Sequence, residues 1–197
     1  MTKREFTDKD HGVMQKYYDI CERDSRDIRS VKTEMMKLIQ EDPNFLDSYL
    51  YVCEILHSEG KYSEEEKLLD EAYSRAISVI TDRQGNWPDV LEWGWLENRH
   101  IIRTLINKGV SLWNKGKTED ALEFFRKILK SNPGDNGGVR YFILAIRMGM
   151  TYKEYEKRFD RGGYYNMDIV NWFDENFSKF PDEFDWLKKS SRKVPGS

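Results

Sequence analysis

Residues 101–133, IIRTLINKGVSLWNKGKTEDALEFFRKILKSNP, constrain the fold more than any other stretch. Apolar side chains fall at Ile101, Ile102, Leu105, Ile106, Val110, Leu112 and Trp113, then at Ala121, Leu122, Phe124, Phe125, Ile128 and Leu129. Both runs have the period of one helix face, not the alternation of a strand. Between them, Gly116 can take the left-handed conformation that ends a helix. Thr118 follows as an N-cap, with Glu119 and Asp120 in the first turn, where the helix dipole favours negative charge. Lys127 and Lys130 lie toward the other end, and Pro133 stops the helix. The pattern predicts two helices joined by a tight turn.

An isolated hairpin leaves its apolar faces in water, so the rest of the chain must cover them. Residues 45–80 predict a second hairpin. Tyr49, Val52, Cys53 and Leu56 mark its first helix, Gly60 the turn, and Leu68, Leu69, Ala72, Ala76 and Ile77 the second helix, which runs on to about Thr81. Ser63 and Glu66 have the spacing of a capping box. Glu65 takes the place that Ala121 has in the later hairpin. A carboxylate there must be partly exposed or paired, and the packing beside it is looser or leaves room for something else. Upstream, residues 1–10 read as a frayed polar end. Helices are expected at about 9–22 (Val13, Met14, Tyr17, Ile20, Cys21) and 28–40 (Val31, Met35, Leu38, Ile39), a poor first pair.

The hairpin at 101–133 resembles the tetratricopeptide repeat. The residues that carry the likeness are Gly109 midway along the first helix, Gly116 at the turn, Ala121 early in the second helix, Phe125 one turn later and Pro133 at the close. Lys108, where a large apolar residue is usual, and Ile128, where alanine is usual, depart from it. WGWLENRHIIR (93–103) and NPGDNGGVRY (132–141) together resemble a subgroup of mostly bacterial tetratricopeptide proteins. That resemblance implies an all-α fold, a superhelix of antiparallel helix hairpins, and brings no assigned activity. Plain arrays repeat every ~34 residues. Gly60 and Gly116 lie farther apart than that, so a segment is inserted: the loop DRQGNWP, then a long or slightly broken helix at 90–114 with Asp89 as its N-cap and a bend at Gly94.

After Pro133, Asp135 or Asn136 can cap a helix carrying Tyr141, Phe142, Leu144, Ala145 and Met148, closed by Gly149. Thr151 and Glu154 cap a short helix, 161–166 form a turn, and DIVNWFDENF is a further helix. A last short helix carries Phe184, Trp186 and Leu187, ahead of a disordered tail. The expected division is a repeat domain over 1–160 and a C-terminal segment over 161–197 packed on it.

Two groups of residues are candidates for function. One is polar: Glu97, Asn98, Arg99, Asp135, Asn136 and Arg140. Arg grips a carboxylate through paired hydrogen bonds, so Arg140 can pair with Glu97, or Arg99 with Asp135. The network either fixes the stacking angle and caps the third hairpin, or offers Arg99, Asn136 and Arg140 to an acidic peptide terminus or a carboxylate side chain. The other group follows from the resemblance, which places Leu50, Glu54, Arg103, Ile106, Val110, Trp113 and Tyr141 along a concave groove. Trp and Arg are enriched at binding hot spots; the alternative is that Trp113 packs on the C-terminal segment. Leu50 and Glu54 are the wrong residues for the family's carboxylate clamp. Trp93 and Trp95 lie about 200° apart on a helix, so one is core and the other packs on the loop or is exposed.

Composition narrows the function classes. Net charge is −3, from 32 basic and 35 acidic residues, which argues against a nucleic-acid or acidic-membrane partner. There is no long uncharged apolar run and no apolar leader core at the N-terminus. Cys21 and Cys53 make neither a disulfide framework nor a metal spacing, so a reducing cytoplasm is expected. His11, His57 and His100 are scattered in sequence, without an HExxH spacing, and no cofactor is expected. The reading is a non-enzymatic protein-interaction module that holds a peptide or a partner helix, with homo-oligomers open. Its rivals are a self-capped structural or regulatory subunit, with Trp172, Phe173, Phe177, Phe184 and Trp186 filling the groove, and an enzyme or small-ligand binder using Glu97, Arg99, Asn136 and Arg140.

Overall fold

The computed structural model describes residues 3–23, 27–160 and 167–190; the turn expected at 161–166 and most of the C-terminal tail lie outside them. The described residues are all-helical, and consecutive helices pack on one another. No β-strand occurs among them, and none of their helices is long and apolar enough to cross a membrane. The chain divides into two compact units, Met1–Lys108 and Gly109–Ser197.

The first unit contains α1 (Met14–Cys21), α2 (Ile28–Glu41), α3 (Asp47–Ser58), α4 (Tyr62–Ile80) and most of α5 (Arg99–Asn114). Asp27 caps α2 by accepting from the Arg29 N–H. Its core is built from Met35, Phe45, Tyr49, Val52, Ala72, Ala76, Ile80, Ile101 and Leu105, all but removed from solvent. Lys108, one of the two departures from the expected pattern, reaches Asp70 at 2.6 Å and lies over the Tyr73 ring.

The same turn recurs three times. Gly60, Gly116 and Gly149 have φ of +71°, +75° and +77°. The residue after each sends its N–H back to the carbonyl five residues earlier: Lys61 to Leu56, Lys117 to Leu112, Met150 to Ala145. That 6→1 bond satisfies an orphan carbonyl at the helix end. At the first two turns Lys61 and Lys117 then become the N-caps, without a side-chain bond. The expected caps at Ser63 and Thr118 are corrected: both residues already lie within the first helical turn. Thr151 and Glu154 do form a full capping box on α8 (Tyr152–Phe159).

Residues 89–95 are not helical. A 3-10 turn, Leu96–Asn98, leads into α5, so the expected helix at 90–114 begins only at Arg99. Asp89 does not cap it. Its carboxylate accepts from the Arg4 N–H, while the Phe6 N–H donates to the Val90 carbonyl and the Val90 N–H donates to the Arg4 carbonyl. The N-terminus is therefore not frayed over residues 4–8. Arg4 binds the Ile80 and Asn86 carbonyls, and Glu5 and Val90 form an isolated parallel bridge. The early residues and the inserted loop satisfy each other's backbone groups.

The second unit holds the rest of α5, α6 (Thr118–Ser131), α7 (Val139–Arg147), α8, α9 (Asp168–Asn176) and α10 (Pro181–Ser190). Phe125, Phe142, Tyr155, Phe159 and Trp172 form a continuous aromatic core, with successive ring centroids 4.9–5.2 Å apart. A Cβ at Gly109 would lie 2.5 Å from Phe125, which explains the small residue there. The C-terminal helices belong to this unit. α9 packs on α7, and Glu183 of α10 binds Arg126 and Arg147.

Candidate functional site

A cleft of about 500 Å³ opens in the first unit between α1, α3, α4 and α5. Asp47, Leu50, Glu54 and His57 follow each other at helical spacing, so α3 presents them on one face. α1 adds Tyr17 and Tyr18, and α5 adds Arg103 and Asn107. Leu50, Cys53 and Leu69 form the apolar floor. Glu65 stands at its edge, where the sequence predicted looser packing, and its carboxylate is 3.0 Å from His57 Nδ1.

The charges of the cleft are mostly spoken for. Arg103 binds Asp47, which is 4% exposed, and lies over the Trp93 ring at 5.4 Å. Asp47 also sits in the first turn of α3, where the dipole favours it. Glu54 opens into the cleft. Burial by the walls, and then the Asp47 charge, raise its carboxyl above the ordinary value. A cation entering the cleft would relieve that cost. Burial also raises the Tyr17 and Tyr51 phenols, so both are neutral donors. It pushes the Cys53 thiol up to about 12, and a thiol so poised is not a nucleophile near neutral pH. The walls carry the Tyr17, Tyr18 and Tyr51 rings, with neutral hydroxyls on Tyr17 and Tyr51, and the Glu54 carboxylate.

The other predicted groove residues fare differently. Ile106 and Val110 are half-buried along α5. Trp113 is 3% exposed; its indole N–H donates to the Met150 carbonyl, and its ring packs on Phe142, Tyr152 and Tyr155. It is core, a correction to its placement in an open groove. Tyr141 is covered by Phe173, with centroids 5.5 Å apart.

The polar group also resolves into local tasks. Asn98, fully buried, accepts from the Asp8 N–H and donates to the Phe6 and Glu92 carbonyls. Arg99 donates to the Trp93 carbonyl and lies over that ring. Asp135, at φ +49°, accepts from the Val139 and Arg140 N–H groups and from Arg140 Nε at 2.7 Å. It caps α7 and holds Arg140, so the expected pairs of Arg140 with Glu97 and of Arg99 with Asp135 are replaced. Glu97 is half-buried and Asn136 exposed. Trp95 is 48% exposed and donates to Glu5 at 3.2 Å, while Trp93 lies under the two guanidiniums.

Sequence reasoning missed one cluster. Asp8, His11, Asp42 and His100 meet in the first unit. His11 Nδ1 is 2.6 Å from Asp42 Oδ2 and its Nε2 is 3.1 Å from Asp8 Oδ2. His100 Nε2 is 3.1 Å from the same Asp8 oxygen. Both rings are about 98–99% buried. No spacing rule joins residues 11 and 100; the nearest signal was that the ENRH segment opens α5. Ligand atoms of Asp8, His11 and His100 lie within 4.8 Å of one another, the spacing of a cation site. The hydrogen-bond pattern argues otherwise. His100 Nδ1 accepts from the Leu46 N–H, which assigns the ring proton to Nε2 and removes the lone pair a metal would need.

The chain matches no family model, no curated protein and no solved structure.

Proposed function

We propose that the chain is a non-enzymatic helical-repeat module of the tetratricopeptide kind that binds a peptide segment of a partner protein in the cleft of its first unit. The segment would carry a basic side chain flanked by apolar ones. The observation that carries this reading is Glu54. It is a carboxylate raised by burial and by Asp47, at the mouth of a cleft floored by Leu50, Cys53 and Leu69 and walled by tyrosines. Bound lysine or arginine would stabilise the Glu54 carboxylate against the burial and the Asp47 charge that oppose its ionisation, through a charge-assisted hydrogen bond that solvent at this exposed position weakens. Tyr17, Tyr18 and Tyr51 add cation–π faces. A reducing compartment such as the cytoplasm suits two cysteines that are both free.

Display selection of random peptides on the intact chain tests this, with counter-selection on Glu54→Lys. Enriched peptides should share a basic residue beside apolar ones and should lose the variant. Peptides without that bias, or ones that bind both proteins alike, would refute it. The self-capped alternative draws on the second unit, where Phe173 covers Tyr141 and Phe184 is 1% exposed. Deleting residues 161–197 should unfold that unit if those aromatics are core.

A further inference from the structure

The cluster around His11 has no part in the binding reading, yet its two histidine rings are buried and bonded to carboxylates. His11 faces a carboxylate on each ring nitrogen, Asp42 from the end of α2 and Asp8 from the N-terminal segment. Only an imidazolium can donate to both at once. From α5, His100 faces Asp8 through its Nε2 proton, and the Leu46 N–H fixes that tautomer. Lys9 adds a positive charge that favours the Asp42 carboxylate. The Lys9 N–H also bonds Asp8 at 2.8 Å. Phe45, 1% exposed, closes the apolar side. It touches His11, His100 and also Tyr17, a wall residue of the cleft.

We propose that His11 is a proton-operated latch: its imidazolium clamps Asp8 and Asp42 together, fastening residues 4–10 and the start of α1, and loss of the proton releases them. A neutral ring has one N–H for two carboxylates, so one of the two contacts then sets a lone pair against a negative oxygen. Asp8 keeps its bond to His100, so the break falls on His11. Because α1 follows within three residues and carries Tyr17 and Tyr18, an open latch loosens one wall of the cleft. That last consequence rests on the binding reading; the latch itself does not.

The direction in pH follows from linkage. Burial works against charge on His11, but the bonds and charges of Asp8 and Asp42 outweigh it, and its titration is raised above 6.5. The latch is therefore fully closed below 6.5 and opens as pH rises through the raised value. Asp8 and Asp42 are lowered below 3.8, burial again opposing and the histidine bonds prevailing, so acid releases it only at the far end.

Amide hydrogen exchange on the intact chain tests this, corrected for intrinsic rates and read at Phe6 and Asp8. Their N–H groups bond the Val90 carbonyl and Asn98. Protection should fall about tenfold per pH unit from 6.5 up to the His11 titration, then level off. Amides in α4 should show no such slope. His11→Gln should abolish the slope. If that variant does not fold, Asp42→Asn leaves one carboxylate on the ring and should end the slope at lower pH. A slope shared by α4, or unchanged in Asp42→Asn, would overturn the latch. So would a rise in protection on adding zinc, reversed by chelator, which would make the cluster a metal site. If the slope is present while a selected peptide binds equally at pH 6 and pH 8, the latch stands and its link to the cleft fails.

Discussion

Replacing Gly109 with alanine sets two effects against each other at one residue pair. In a helix interior alanine is favoured over glycine by ~1 kcal/mol. Against that, a Cβ at position 109 would lie 2.5 Å from Phe125 Cε1, 2.9 Å from Cζ and 3.0 Å from Cδ1. The ring has nowhere to go: Phe125 is fully buried and stacks on Phe142 at 5.1 Å and 29°. Overpacking a filled core costs ~1–3 kcal/mol. Three ring atoms at or inside contact distance put this site in the upper part of that range. The net expectation is a loss of ~1–2 kcal/mol after the helix gain is subtracted. Urea unfolding followed by tryptophan fluorescence measures it, with a lower midpoint and an unchanged slope. In a Phe125→Leu background the ring edge is gone, and Gly109→Ala should become neutral or stabilising, a coupling of at least ~1 kcal/mol. Stabilisation by Gly109→Ala in the wild-type background would refute the close approach of α5 and α6.

Asp135→Ala removes three bonds at once and leaves Arg140 without its carboxylate. A loss of ~2–4 kcal/mol is expected in the unfolding of the second unit, and a change under ~0.5 kcal/mol would mean that Asp135 does not cap α7. Trp113→Ala should cost ~3–5 kcal/mol as a core truncation. If thermal melts were unchanged while peptide binding was lost, Trp113 would be a contact residue after all. Glu183→Gln weakens the tie from α10 to Arg126 and Arg147 and should raise proteolytic cleavage beyond residue 180 without moving the first unit's unfolding.

The helices around Gly60 and Gly116 were legible because every local signal agreed: period, left-handed glycine and a following charged turn. Their caps were misplaced because each next helix starts directly after the turn, at Tyr62 and Thr118. The cap position therefore falls on a lysine with no capping side chain, and the sequence's capping residues lie one or two positions inside the helix. The segment at 89–98 carries VLEWGWL, short enough to mimic helical spacing, but Asp89 is drawn off by the Arg4 N–H and Asn98 by Asp8 and Phe6. Those partners lie at the other end of the unit's sequence. The same distance in chain hid the meeting of His11 and His100. In the candidate groove, Leu50, Glu54 and Arg103 do line one cleft, since periodicity along α3 and α5 sets their faces. Trp113 and Tyr141 do not stand open, because the aromatics of α8 and α9 reach them.

The most direct test of the binding account is chemical-shift mapping of the ¹⁵N-labelled chain, titrated with a selected basic peptide and with the same peptide carrying glutamine in place of its basic residue. The account predicts shifts gathered at Tyr17, Leu50, Tyr51, Glu54 and Asn107, with at least tenfold weaker binding for the glutamine peptide or for Glu54→Gln. Shifts confined to other surfaces, or equal affinity for the two peptides, would contradict it.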